Sequence, residues 1–257
     1  MKIISLFNQK GGVGKSTTVS SLMYYFTSKG KKVLGVDVDG QGHLTKLCGI
    51  NTNDENTVLE LLQKKATFVE TVKHSKFGDL LPADRQLQFA TLQFAQQADF
   101  MFSILDMLEG QNYDYVFIDC PPAVNIITTA VLVASDYVII PTEVEYLSLD
   151  GVQEMAQTIR SAKNRLNPKL EVMGLLLVKY NTRRKLTRAL EEHLERTGRE
   201  LFGAQPLPMR IRNTVDVPSA QARQMSVFEY KPKSEVTKEY TALAEYIERR
   251  VQENVKE

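Results

Sequence analysis

The run Lys10-Gly11-Gly12-Val13-Gly14-Lys15-Ser16-Thr17 brings lysines, glycines and hydroxyls together in a set suited to gripping phosphate. It comes directly after the apolar run Ile3–Phe7, which reads as a buried strand. It opens a helical stretch with Val19, Leu22, Met23 and Phe26 on one face. In a strand, glycine-rich loop and helix start of this kind, successive backbone N–H groups and the positive end of the helix dipole converge on one small volume. Gly11, Gly12, Val13, Gly14, Lys15, Ser16 and Thr17 are therefore the expected nucleotide-binding residues. Lys15 is expected to reach the β- and γ-phosphates, and the Ser16 hydroxyl to ligate Mg²⁺. The general pattern G-x-x-x-x-G-K-[ST] is nevertheless broken, because Gln9 stands where its first glycine belongs and an additional lysine, Lys10, comes next.

Acids gather at two later places. In Val36-Asp37-Val38-Asp39-Gly40-Gln41-Gly42 an extended backbone sends Asp37 and Asp39 the same way. Two carboxylates beside a triphosphate repel it unless a metal intervenes, so they are suited to organising Mg²⁺ and its waters or an attacking water. Taken alone the segment reads equally well as a solvated turn; beside a phosphate loop the functional reading prevails. Further on, the run Tyr115–Ile118 ends in Asp119-Cys120-Pro121-Pro122, an apolar strand closed by an acid. This form suits Asp119 to holding Mg²⁺ through water. Cys120 is expected to pack rather than react, and Pro121 and Pro122 stiffen the chain as it leaves the strand.

The elements that must position these residues alternate along the whole chain. Strand-like runs fall at Ile3–Phe7, Val33–Val36, Leu80–Leu81, Tyr115–Ile118, Tyr137–Ile140, Val172–Val178 and Leu201–Leu207. Helical patterns fall near 16–29, 57–64, 86–110, 124–134, 147–166, 184–197 and 234–252. Several strand runs are continuously apolar, as strands covered on both faces are. This alternation predicts an α/β fold, a doubly wound, mostly parallel sheet with helices on both faces, formed by one domain over 1–257. Such sheets bind ligands outside the carboxyl ends of their strands, where the glycine loop and the acids stand.

Composition narrows the class further. The chain has 257 residues, 43% of them hydrophobic and 25% charged, in the range of an ordinary globular protein. No apolar run approaches the ~20 residues that span a bilayer, and two cysteines, Cys48 and Cys120, do not make a disulfide framework. The net charge of +1 hides an asymmetry. Residues 1–150 carry 12 Lys and Arg against 17 Asp and Glu, and residues 151–257 carry 20 against 14. A basic second half points to a polyanionic partner, weakly by itself.

Taken together, these residues resemble the ParA/MinD group of ATPases with a deviant Walker A loop, K-G-G-x-G-K-[ST], matched from Lys10 to Ser16. The resemblance is closest to ParA/Soj-type partition ATPases and covers nearly the whole chain. Leu81-Pro82-Ala83, Ile118-Asp119-Cys120-Pro121-Pro122, Pro141–Leu149, Pro218-Ser219 and Glu229–Ser234 carry it further. It implies an ATP hydrolase with ATP and Mg²⁺ as cofactors and Lys10, Lys15 and Asp39 as catalytic residues. Lys10 reaches in trans to a partner's nucleotide, so ATP makes a homodimer with Gly12 at its seam. Asp39 positions the attacking water, and Ser16, Asp37 and Asp119 serve the metal. The adenine is assigned to Asn181 and Pro208, in the regions Lys179–Asn181 and Pro206–Met209. The family's D-x-D-P-Q departs here, with Gly40 for the proline, which suggests a looser loop and slow or partner-dependent hydrolysis.

The resemblance also implies non-specific double-stranded DNA binding by the dimer. It falls to Arg183, Arg184, Lys185 and Arg188 in the segment Thr182–Arg188, and to Arg210 and Arg212. Lysine and arginine contacts to phosphates need no base readers. A ParB-like DNA-binding partner would stimulate hydrolysis. The protein would then be cytoplasmic and nucleoid-associated, partitioning a plasmid or chromosome. No N-terminal helix-turn-helix region is expected, since the first strand begins at residue 2. The alternative is a MinD-like or cargo-positioning ATPase acting at a membrane or on another cellular cargo. The tail from Tyr240 to Glu257 argues against it, being a packing helix with an acidic end. An iron-protein-like or dethiobiotin-synthetase-like enzyme fits less well, because neither its cysteines nor its lysine signature matches.

Overall fold

A computed structural model describes residues 1–143, 149–181 and 188–253. In chain order the elements begin with β1 (Lys2–Leu6), α1 (Lys15–Ser28), β2 (Val33–Asp37), α2 (His43–Leu47), α3 (Val58–Leu62) and α4 (Phe68–Thr71). Next come β3 (Lys73–Ser75), β4 (Gly78–Leu81), α5 (Gln86–Phe94), α6 (Ser103–Leu108), β5 (Tyr115–Asp119) and α7 (Ile126–Ala134). The chain continues through β6 (Tyr137–Thr142), α8 (Leu149–Arg165), β7 (Glu171–Tyr180), α9 (Arg188–Thr197) and β8 (Pro206–Arg212). It closes with α10 (Asp216–Gln221), α11 (Val227–Tyr230) and α12 (Glu235–Glu253).

The strands form one sheet in the order β3-β4-β2-β5-β1-β6-β7-β8. Every neighbouring pair is parallel except β3 with β4. The doubly wound α/β class expected from the alternation is the one observed. Successive residues feed opposite layers, as the two-residue period of a strand requires. Ile3, Val116 and Val138 join the core under α3, α5, α6, α7 and α8. Ile4, Phe117 and Ile139 join the core under α1 and α12. Burial on both faces explains why these strands read as unbroken apolar runs.

Three boundaries differ from expectation. The helical pattern over 86–110 is interrupted: α5 ends at Phe94, a single 3₁₀ turn covers Phe100–Phe102, and α6 comes after it. Phe94 and Phe100 stack at 4.2 Å between centroids, so one apolar stripe serves two helices folded at a corner. The run Leu201–Leu207 is not one strand, because Gly198–Phe202 continues the helix before it as a π turn and β8 begins at Pro206. The short edge strand β3 and the helices α2, α4, α10 and α11 were not anticipated, each being six residues or fewer.

The order places β1 between β5 and β6, although the chain reaches those strands only after β2, β3 and β4. Winding therefore reverses direction beside β1, and a crevice opens at the carboxyl ends of β1, β2 and β5. Those ends carry the glycine loop, Asp37 and Asp119.

Candidate active site

The turn after β1 is held by Asn8 before any ligand arrives. Its Nδ2 donates to the Pro141 carbonyl at 2.6 Å, and its Oδ1 accepts from the Lys10 backbone N–H at 2.9 Å. Gly12 and Gly14 have φ of 77° and 76°, a left-handed backbone that side chains resist. A Cβ at Gly11 or Gly14 would meet nothing within 4 Å, and one at Gly12 only the Lys179 ammonium at 4.0 Å. The glycines thus border an open cradle rather than a packed wall. Gly14 precedes α1 without a side-chain cap, and no acid stands in the helix's first turn. The exposed backbone N–H groups and the positive dipole end of a 14-residue helix face that space. An anion fits there.

Lys15 is buried, and its ammonium donates to the carbonyls of Asn8 (2.9 Å) and Lys10 (3.2 Å). Burial lowers its pKa, opposed by the charges of Asp119, Cys120 and Asp39. Lys15 is the natural mate for phosphate oxygens here, since carbonyl contacts alone leave its charge uncompensated.

Asp37 and Asp119 end neighbouring strands and face each other in register. Both are fully buried, yet their partners differ. Asp37 accepts from the Thr45 N–H (2.9 Å) and hydroxyl (2.7 Å), and from the Asp39 N–H (3.1 Å). Neither oxygen of Asp119 accepts a hydrogen bond from the described residues. Burial raises Asp37 to about 7, against the lowering effect of those three bonds. Burial, reinforced by Asp37, holds Asp119 well above the ordinary carboxylate range; Ser16 and Lys15 are close enough to pull it down.

A buried carboxylate with two orphaned oxygens beside a hydroxyl and an ammonium is the environment a cation relieves. The residues present fit Mg²⁺, with Ser16 and Asp119 as those that would hold it. Asp37, also expected at the metal, stands beside Asp119 in register and accepts three hydrogen bonds that brace α2 and the Asp39 loop. Among the described residues no group of three or more His, Cys, Asp or Glu forms a metal cage. Mg²⁺ held through phosphate oxygens, a hydroxyl and water needs none.

Asp39 lines the same cleft, and its carboxylate accepts from the Gln41 N–H at 3.0 Å while its carbonyl accepts from Gly42 at 2.8 Å. The turn is therefore tied, not loosened, at Gly40. Gly40 is buried, and a Cβ there would come within 2.4 Å of Gln88 Cγ on α5. Close packing of α5, rather than loop freedom, accounts for glycine in the proline's place. Cys120 is buried and its thiol is pushed strongly up by burial, as expected of a packing cysteine.

The cleft has a volume of about 1020 Å³ and continues past Lys15, Ser16 and Thr17 to a wall the sequence did not reveal. Asn181 and Pro208, expected at the base, do not line it. The wall is formed instead by Ile211–Thr214 after β8 and by Val217, Pro218 and Gln221 on α10. Gln221 donates to the Thr17 hydroxyl at 2.7 Å and so ties α10 to the phosphate loop. The sequence signal was faint: a polar Asn213-Thr214 pair directly after a strand.

The residues expected at DNA fall in three places. Arg183, Arg184 and Lys185 lie outside the described residues, and Arg188 is the first residue of α9. Arg210 lies over the Tyr180 ring, 5.3 Å from its centroid, on the β7–β8 edge of the sheet. Arg212 departs from expectation: it lines the cleft, and Glu239 on α12 accepts from its N–H (2.8 Å) and its Nε (2.7 Å). A guanidinium so paired is a structural tie between β8 and α12.

Lys10 reaches across the mouth of the cradle. Its ammonium meets Glu143 Oε2 at 2.8 Å, while Lys179 meets Oε1 at 2.8 Å. Burial pushes the Glu143 carboxyl up, but the two lysines outweigh it and hold it below its ordinary value.

A profile of the AAA domain family AAA_31 matches residues 1–172. The chain is 34% identical over 251 residues to the chromosome-partitioning ATPase Soj of Thermus thermophilus, spanning 97% of this chain and 96% of that one. It is 31% identical to the chromosome partitioning protein ParA of Caulobacter vibrioides, over 95% and 92% of the two chains. Among solved structures it is similar to cobyrinic acid a,c-diamide synthase from Mycobacterium smegmatis with bound ADP and magnesium. That likeness has a TM-score of 0.83 at 28% identity, covering 98% of this chain and 96% of that one.

Proposed function

The chain belongs to the ParA/Soj family of partition ATPases and hydrolyses ATP with Mg²⁺; on that premise we propose that it is a dimerising switch which binds DNA non-specifically and partitions DNA with a ParB-like partner. The observation that carries the reading is Lys10. A second lysine precedes the glycines of the phosphate loop and pairs with Glu143, in addition to the buried Lys15 that is placed for the phosphates of its own chain. A positive charge supplied from a neighbouring subunit to a transferring phosphoryl group has large catalytic value.

In this mechanism the loop N–H groups and the start of α1 hold the phosphates, and Lys15 exchanges its carbonyl partners for phosphate oxygens. Ser16 and Asp119 would hold a magnesium ion, which would supply charge neutralisation on the phosphates. Asp39, fixed by the Gln41 and Gly42 N–H groups, orients water for attack. Lys10 leaves Glu143 for the nucleotide of the second chain. Two chains joined this way present their basic second halves side by side, which raises avidity for DNA without new contacts. A cytoplasmic, nucleoid-associated protein is the corresponding cellular picture. The described part of α12 buries Leu243, Ile247 and Val251 in the core. It therefore does not offer the apolar face that a membrane-positioning alternative requires.

Measuring mass in solution with Mg²⁺ and a slowly hydrolysed ATP analogue tests the reading. Wild type should double in mass with nucleotide and Lys10→Ala should stay monomeric while still binding it. A Lys10→Ala protein that dimerises normally refutes the role of Lys10. Random duplex should be bound by the dimer in a salt-sensitive manner, and loss of that binding in Arg183→Glu/Arg184→Glu should leave ATP turnover intact.

A further inference from the structure

Lys179 is the unexplained residue of the cleft. It lies at the carboxyl end of β7, beside β6 and one strand further from β1, so the loop after β1, Glu143 after β6 and Lys179 form a row at the sheet's carboxyl edge. Its φ is +51°, a left-handed backbone in a residue with a Cβ. That conformation is strained for a residue with a Cβ, and such strain persists where surroundings impose it and clusters at ligand sites. Pairing between β7 and β8 is irregular between Leu177 and Tyr180, as a strand re-aiming a side chain would be.

The side chain so aimed lines the nucleotide cleft, and its ammonium stands 4.0 Å from the position a Cβ on Gly12 would take. It pairs with Glu143 Oε1, while the other oxygen of that carboxylate holds Lys10. One carboxylate therefore sits between two lysines at the mouth of a cradle built for several negative charges. Polyphosphate offers those lysines more charge than a single carboxylate does, and more acceptor oxygens.

We propose that Lys179 is a nucleotide-binding residue that contacts the polyphosphate from its own chain, and that Glu143 is the internal anion it gives up when ATP binds. The inference rests on the ATP site already described and does not require Lys10 to act in trans. It distinguishes this chain's cradle from one served by Lys15 alone. It also makes Glu143 a competitor that lowers affinity for nucleotide while offsetting part of the positive charge of the two lysines.

Titration calorimetry with Mg²⁺ and a non-hydrolysable ATP analogue, accompanied by thermal unfolding, decides it. Lys179→Gln should weaken binding by about 10-fold, the value of one charge-assisted contact, and should flatten its salt dependence. Lys179→Arg should recover most of the affinity. Lys179→Gly should bind as weakly as Lys179→Gln yet unfold at the same or a higher temperature, because glycine relieves the left-handed strain. Glu143→Gln should bind more tightly than wild type. If Lys179→Gln binds as wild type does, Lys179 is only a partner of Glu143 and the inference fails. If Glu143→Gln gains nothing, Glu143 is not a competitor. Failure of wild type itself to bind the analogue would instead overturn the ATP site.

Discussion

The ends of β2 and β5 look alike in sequence, each an apolar run closed by an aspartate, and they lie side by side in the sheet. Asp37 finds three donors waiting, two from Thr45 and one from Asp39. Among the described residues Asp119 accepts no hydrogen bond of good geometry, although the Ser16 hydroxyl and the Lys15 ammonium are near enough to lower its pKa. The difference arises beyond the strands. After β2 the chain turns back through Gly42 into α2, whose Thr45 folds onto Asp37. After β5, two prolines carry the chain away without offering an N–H. A buried carboxylate with a full set of donors serves the protein's shape; one left empty is kept for a ligand. Two residues with one apparent motif thus differ in their hydrogen-bond partners: Asp37 accepts three hydrogen bonds and Asp119 accepts none from the described residues.

The largest test of that division is Asp119→Asn. Turnover should fall by roughly 10²–10³-fold, the usual consequence of removing a charge that organises a transition state. The nucleotide-free protein should meanwhile become more heat-stable, because an uncompensated buried charge is gone. Asp37→Asn should do the reverse in unfolding, losing about 1–3 kcal/mol because its single oxygen can serve only one side and its NH2 is set against the Asp39 N–H or the Thr45 donors. If both variants shift stability in the same direction, the two acids are not distinct in the way described.

pH sharpens the comparison. Burial raises the folded-state pKa of Asp37 to about 7 and shifts Asp119 in the same direction, so between about pH 4 and 7 Asp37 holds in the native state a proton that the unfolded chain has released. Their contribution to stability is present at the acid end and is lost as pH rises through that window. Melting temperatures of wild type and Asp119→Asn, measured without metal or nucleotide, should therefore diverge in the variant's favour as pH rises and the buried carboxyl is forced to ionise. Saturating Mg²⁺ and ATP should close the gap by raising the wild type. Parallel curves would mean that Asp119 carries no unusual proton.

The smallest effect is expected at Gly40. Gly40→Ala should cost about 1–2 kcal/mol through contact with Gln88, and Gln88→Ala in the same chain should restore most of it. Loss that Gln88→Ala does not rescue would return the glycine to a role in loop freedom.

Much of the phosphate side was legible because it is local. Lys10 to Thr17, Asp39 and Asp119 are each defined by a strand end and the few residues after it, and the unbroken apolar runs marked those strands. The base side was not. Asn181 directly follows β7 and Pro208 lies within β8, but the cleft wall comes from Ile211–Thr214 and α10, short segments without periodicity. Nor did the sequence mark Arg212 as a tie to Glu239, since a basic residue reads alike in a salt bridge and on a DNA-facing surface.

By itself the sequence determined the sheet, the phosphate cradle and the unusual second lysine. Glycine placement, apolar periodicity and strand-end acids act over a few residues and carry their physics with them. Tertiary structure alone decided which acid is filled and which is empty, what closes the far wall of the cleft, and that Lys10 and Lys179 share Glu143. Those outcomes depend on which carbonyl, N–H or carboxylate arrives from a distant part of the chain. The energy of a buried charge is set by that arrival.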